Sequence, residues 1–325
     1  MGVGTDSYAP VTTHRFKTQE LSDFHTPINQ VLAEIEKNYP PAFYPRYCCL
    51  SAAGPVSQNR CRMSNIDTII DGEKILAHTG LKTLVINDFM ALSYSLPLLD
   101  TEDPDYITKL EHSDGSLQEP KGEARVVIGA GTGLGVGYQV THQGKIYAFP
   151  SEGGHYDFAA FDEETEALKH FVMQRQGQCP GTELFISGKG ITNIYHYFRE
   201  AHRLPDDQVI RAIDNMPEAD KPAHIAEKAH THEECGTIMQ LFIRMYGKYA
   251  GNIALTFLPS AGLFLAGGIV TKNEDLFSRD NTFMQEFEKN YKPHIRDILQ
   301  KTPVYIIRDY SVSLFGAAHA GWNLL

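Results

Sequence analysis

Residues Arg125 to Phe158 read RVVIGAGTGLGVGYQVTHQGKIYAFPSEGGHYDF. The apolar run at 126–128 has the composition of a buried strand. It enters a turn built from Gly129, Gly131, Gly133 and Gly135, with Thr132 among them. Glycines at this spacing let backbone N–H groups approach an anion with no Cβ in the way. A second apolar run, 136–140, passes through the polar turn 142–145 into a third, 146–149. The pattern predicts a β-hairpin with a phosphate-type turn inside it. Ser151-Glu152-Gly153-Gly154-His155 follows, so a carboxylate and an imidazole stand at the other end of the element. Alone, the glycine turn serves a tight hairpin as well as it serves a phosphate.

Working outward, strands and helices alternate, which predicts α/β layers. Toward the N-terminus the pattern gives strands at 2–4 and 11–16 around a turn. A helix carries Leu21, Phe24, Ile28, Val31, Leu32 and Ile35 on one face, and Pro40-Pro41 ends it. Strands at 47–53, 61–65 and 84–86 and helices at 72–79 and 89–99 follow. The polar stretch 100–122 reads as a domain boundary followed by a surface excursion. Beyond the hairpin, helices are expected at 163–176, 191–202 and 233–258. The last is apolar on more than one face, and Pro259 ends it. Buried strands at 262–266 and 304–307 and a helix at 313–323 complete the chain.

The 325 residues suffice for two domains with ample core. A formal net charge of −11 argues against general binding to nucleic acid or to a membrane surface. Five cysteines include no C-x-x-C pair, which fits reduced thiols in the cytosol. No apolar run approaches membrane-spanning length.

Asn87-Asp88 lies where a buried strand gives way to a helix, the end of an open α/β sheet at which ligands bind. A helix N-terminus keeps a carboxylate ionised, as a proton acceptor requires, but on spacing alone the N-cap reading of Asp88 is preferred. Glu152, His155 and Glu183 lie near glycine-bounded turns. Their donors and acceptors suit a polyol, and each singly also suits a solvated turn. Gly267-Gly268 makes a second glycine turn after a strand. His224, His230 and His232 with Glu233, Glu234 and Cys235 read as a helix start with Thr231 near the cap. Zinc is the weaker reading there.

Taken in order, Ile86-Asn87-Asp88-Phe89, Gly129-Ala130-Gly131-Thr132-Gly133-Leu134-Gly135, Glu152-Gly153-Gly154-His155-Tyr156-Asp157-Phe158, Glu183 with Ser187-Gly188-Lys189-Gly190, and Leu265-Ala266-Gly267-Gly268-Ile269 closely resemble the bacterial-type glucokinase family. That family lies in the hexokinase/actin/heat-shock ATPase superfamily, and the likeness runs from about Val3 to the C-terminus. It implies a two-domain ribonuclease-H-like (actin-like ATPase) sugar kinase fold. It also implies ATP-dependent phosphorylation of the 6-hydroxyl of glucose, at the entry to glycolysis, with Mg²⁺. By this resemblance Asp88 is the catalytic base, and Asn87, Glu152, His155 and Glu183 hold the sugar. Gly129, Gly131, Thr132 and Gly133 cradle the nucleotide phosphates, with Gly267 and Gly268 beside the adenosine. A cytoplasmic homodimer is implied, with no nucleic-acid or membrane partner. The expected division is a small domain of residues 1–104 plus 304–325 and a large one of 105–303.

The family pattern opens with a strand and a D-x-G-G-T-N phosphate loop that this sequence does not carry. The expectation is that residues preceding Met1 supply them. The alternatives are a truncated isoform or a non-catalytic sugar-binding or regulatory relative.

Overall fold

A computed structural model describes residues 10–63 and 68–324. The strand expected at 2–4 lies outside them, as do most of the turn after it and the end of the one expected at 61–65. The chain divides into two compact units. One comprises Met1–Leu99, Thr141–Pro150 and Ser311–Leu325, the other Asp100–Val140 and Ser151–Tyr310.

In the first unit, α1 (His25–Asn38) ends before Pro40-Pro41, where a proline pair stops a helix. Strands β1 (Tyr47–Ala52) and β5 (Lys82–Asn87) pair in parallel, with Ala52 opposite Asn87. Strands β2 (Val56–Ser57), β3 (Arg60–Arg62) and β4 (Ile69–Asp71) form an antiparallel sheet in that order. Gln58 and Asn59 turn β2 into β3 with φ of 50° and 58°, the left-handed pair that a two-residue hairpin uses. The Asn59 amide joins this hairpin to β5: Nδ2 donates to Thr83 O at 2.9 Å and Oδ1 accepts from Val85 N at 2.8 Å. Asp71 caps α2 (Gly72–Thr79). Helix α3 (Asp88–Ser95) leaves the end of β5 directly, and α13 (Val312–Leu324) packs on α3. The expected strand at 11–16 forms no regular element. Val11 and Phe16 stand 44 % and 42 % exposed, so among the described residues no sheet face covers them.

In the second unit, β6 (Ile107–Lys109), β7 (Ala124–Ala130), β8 (Leu134–His142), β10 (Leu263–Ala266) and β11 (Val304–Ile307) lie in the order β6-β11-β10-β7-β8. Strand β9 (Lys145–Ser151) completes the β8 hairpin. Strands β7, β10 and β11 are parallel, and β10 and β11 are buried throughout, which is why they read as unbroken apolar runs. Strand β6 pairs antiparallel with β11 at the edge. Val304–Ile307, expected in the small domain, is thus hydrogen-bonded between two strands of this sheet, and the first unit resumes only at Ser311.

The helices of this unit are α4 (Glu163–Gln176), α5 (Gly188–Glu200), α6 (Gln208–Asp214), α7 (Lys221–Lys228), α8 (Glu233–Phe257), α9 (Gly268–Lys272), α10 (Glu274–Ser278), α11 (Thr282–Glu288) and α12 (Pro293–Leu299). Helix α8 is the spine: α5, α7 and α11 pack on it, which buries it on several faces. Its cap is His232, beside Thr231 in the expected helix start. The imidazole Nδ1 accepts from Cys235 N, while Nε2 pairs with Asp207 Oδ2 at 2.8 Å. These contacts engage the histidine in capping, and among the described residues no group of three potential metal ligands gathers. A buried His112–Glu288 pair, at 2.8 Å, ties the segment after β6 to the end of α11.

Candidate active site

In the first unit the site residues stand at the junction of β5 and α3. Asn87 keeps extended dihedrals and caps the helix: its Oδ1 accepts from Phe89 N at 2.9 Å and Met90 N at 3.3 Å. Its Nδ2 donates to Gly54 O at 3.1 Å. The cap reading of Asp88 is therefore corrected, because Asn87 fills that position and Asp88 is the first helical residue. Asp88 Oδ1 also accepts from Phe89 N, at 3.0 Å. A carboxylate in the first turn faces the positive end of the helix dipole, which favours its ionised form.

In the second unit the parallel pair β7–β10 sets Gly129 opposite Ala266, so both glycine turns leave the same end of neighbouring strands. Gly267 has φ +96°, and a Cβ there would lie 2.4 Å from Ala130 O. Only glycine lets the second turn lie against the first at this point.

The first turn closes on itself, with Gly131 N donating to Gly133 O at 2.9 Å, and Gly188 N donates to Gly131 O at 2.8 Å. The turn thus rests on the N-terminus of α5, which Ser187 caps. Glu183 clamps it from the side: Oε2 accepts from Leu134 N at 3.2 Å, and Oε1 accepts from Lys189 Nζ at 3.2 Å. The Glu183 side chain is only 20 % exposed.

Glu152 and His155 lie on the turn after β9. Their side chains are 78 % and 64 % exposed, with His155 Nε2 3.7 Å from Glu152 Oε2. The backbone beneath them is tightly placed, since a Cβ at Gly154 would meet Leu134 O at 1.9 Å. Thr182 N donates to Tyr156 O at 2.7 Å, which joins this turn to the segment bearing Glu183. The fold of this unit therefore brings Glu152, His155, Glu183 and both glycine turns into one neighbourhood.

A cavity of about 890 Å³ opens beside the turns, walled by Gly131, Thr132, Gly188, Lys189, Gly268 and Ile269 among others. Backbone amides, two lysines (Lys189 and Lys272) and apolar side chains are the furnishings that a nucleotide needs. Helix α7 closes the cavity with Pro222, Ala223 and Ala226. Sequence reasoning missed that wall, because the stretch around His224 read as the approach to the long helix and not as a helix of its own. The alternation of small apolar and polar residues in KPAHIAEK was the available signal. Lys189 was also missed as a cavity residue, since within SGKG it reads as an ordinary residue of a helix start.

Comparison with known proteins gives the family and the fold. The sequence profile of the Glucokinase family matches residues 3–323. A glucokinase of Nostoc punctiforme is 34% identical over 287 residues, which span 84% of this chain and 81% of that protein. A second, from a Nostoc species, is 32% identical over 316 residues, 93% of this chain and 88% of the other. Among solved structures, a glucokinase from an Antarctic psychrotroph shares the fold with a TM-score of 0.77 at 23% identity, covering 95% of this chain and 89% of that one. A Streptomyces griseus ROK family glucokinase, solved in complex with glucose and AMPPNP, gives 0.59 at 17% identity, covering 92% and 87%. These likenesses identify the fold as the two-domain α/β fold of actin-like ATPases. With its motifs in family order and the family profile matched almost from end to end, the chain belongs to the glucokinase family.

Proposed function

We propose that this chain transfers the terminal phosphoryl group of ATP to the 6-hydroxyl of glucose, giving glucose 6-phosphate at the entry to glycolysis in the cytoplasm, and that it works as a homodimer. The two lobes of the enzyme correspond to a small and a large domain of the kind expected from the sequence. Asp88 is the base: it orients the 6-hydroxyl and takes its proton as the oxygen attacks phosphorus and ADP leaves. Asn87, Glu152, His155 and Glu183 read the sugar hydroxyls. Gly129, Gly131, Thr132 and Gly133 cradle the phosphates, while Gly267 and Gly268 border the adenosine. The Mg²⁺ belongs to the nucleotide substrate, which carries it in on phosphate oxygens, the usual way this ion reaches kinases.

The observation that supports this reading best is the clamp between Glu183 and the glycine turn. One carboxylate sits at the border of the phosphate-type turn and the sugar-type turn, where a phosphoryl group would pass between them. The complex of the Streptomyces griseus protein with glucose and AMPPNP supports the same substrate pair. The test is formation of glucose 6-phosphate from glucose and MgATP by the folded chain. Product formation that is lost in Asp88→Ala, with glucose binding retained, is the expected result. Glucose binding without product would instead establish a sugar-binding relative without turnover, a reading that no observation favours.

A further inference from the structure

The turn that carries Glu152 and His155 is held from behind by a residue of α8. Tyr249 is 7% exposed, and its hydroxyl donates to Gly153 O at 2.9 Å. Burial pushes the phenol well above its ordinary pKa, so it remains a donor throughout the working range. Gly153 N in turn donates to Ser151 Oγ at 3.0 Å. The peptide groups between the two candidate sugar residues are thus pinned by one hydroxyl on either side.

The space behind the turn explains why such pins matter. Tyr156, Phe158, Thr182, Met245 and Tyr249 are among the walls of a cavity of about 90 Å³. Close packing fixes a backbone by leaving it nowhere to go. The turn itself packs against Leu134, while the segment after His155 borders this cavity, so the two hydrogen bonds add to packing that is present on one side only.

We infer that Tyr249 is a positioning residue for sugar binding: its hydroxyl sets the turn bearing Glu152 and His155 in the geometry that reads glucose. The inference rests on the proposed sugar role of those two residues. Glu152 and His155 project into solvent, so their placement depends on the backbone that carries them. A displacement of that backbone acts on sugar affinity before it acts on the phosphoryl step.

The test is Tyr249→Phe in the full chain, with steady-state kinetics in glucose and in MgATP and glucose affinity by titration calorimetry. Loss of one neutral hydrogen bond corresponds to a rise of about three- to tenfold in glucose KM and Kd. The expected result is that rise, with kcat within about twofold of the parent and the KM for MgATP unchanged. A purely structural tyrosine would lower the melting temperature and the active fraction while leaving glucose KM in place, and that outcome overturns the inference. So does an equal rise in both KM values. Ser151→Ala removes the other pin without touching the α8 packing, and it must raise glucose KM in the same direction, even if Tyr249→Phe does not fold. A parent chain that forms no glucose 6-phosphate would count against the kinase reading, whereas calorimetry on parent and variant would still decide the role of Tyr249.

Discussion

Asn87 and Asp88 are neighbours at one helix start, and the structure predicts that replacing them does opposite things. Asn87 carries the cap: two backbone donors converge on its Oδ1, and its Nδ2 ties Gly54. Losing a cap costs about 0.5–2 kcal/mol. The Gly54 hydrogen bond adds about 0.5–1.5 kcal/mol. Asn87→Ala should therefore lower stability by about 1–3.5 kcal/mol, from those two sources together. Asp88→Asn leaves the cap in place and removes only a charge from the first turn, a change of about 0.3–1 kcal/mol. In the proposed role of base, however, Asp88 would contribute about 10²–10⁴ in rate, or roughly 2.7–5.5 kcal/mol of barrier. Asp88→Asn should unfold within a few degrees of the parent, bind glucose with near-parent affinity, and lose at least a hundredfold in turnover. Thermal unfolding, calorimetry and initial rates of glucose 6-phosphate formation measure the three quantities. Turnover within tenfold of the parent would refute the base assignment. A stability loss as large as that of Asn87→Ala would refute the division of labour at the cap.

A Cβ added in Gly133→Ala would lie 2.7 Å from Glu183 Oε2 and push the carboxylate off Leu134 N. KM for both substrates should rise, with a stability loss of about 1–3 kcal/mol seen in urea unfolding. Glu183→Gln weakens the tie to Lys189 and changes the sugar-reading group, so glucose and MgATP KM should both increase in steady-state assays. Glu152→Gln should affect glucose alone. Glu288→Ala removes the partner of His112 Nδ1 and the acceptor of Ser113 N, and should cost about 1–3 kcal/mol in urea unfolding at neutral pH. Burial raises the Glu288 pKa, but hydrogen bonds from His112, Ser113 and Gln300 outweigh it and hold the carboxyl below its ordinary value of 4.5. The group's contribution is therefore complete above that ordinary value and is lost as pH falls through the depressed folded value. Parent and variant stabilities should converge over that acid range, and parallel curves would refute the linkage.

The large sheet was legible because its strands speak locally. Strands buried on both faces require unbroken apolar runs, and 126–128, 263–266 and 304–307 have no other economical reading. Strand β6 was not legible. Ile107–Lys109 is three residues inside a polar excursion, and its pairing with β11 comes from a partner nearly two hundred positions away. The same long-range pairing misled the domain assignment of 304–307, since nothing in VYII says which sheet receives it. The run at 11–16 failed for the converse reason: alternation predicts a strand only where a sheet edge is available, and there Val11 and Phe16 face solvent.

The site divides along the same line. Glycine spacing announced the turns, because close backbone approach is a demand that a single residue type satisfies. The cap of α3 was read one residue late, at Asp88, since both residues are good caps and the choice rests on where β5 stops, with Asn87 still extended at ψ 149°. Most hidden was the difference among the candidate sugar carboxylates. In sequence Glu152 and Glu183 are each an acid near a glycine turn. In the fold Glu183 is fixed by a backbone amide 49 residues earlier in the chain and by Lys189, whereas Glu152 is in solvent. A group already held in place loses little freedom when a ligand arrives, whereas an exposed one must be ordered at that moment. In the proposed site Glu183 would thus be a preorganised anchor beside the glycine turn, and Glu152 with His155 groups to be ordered by the sugar. That asymmetry is why the backbone pins at Gly153 carry weight: they supply, one step removed, the order that the exposed side chains lack.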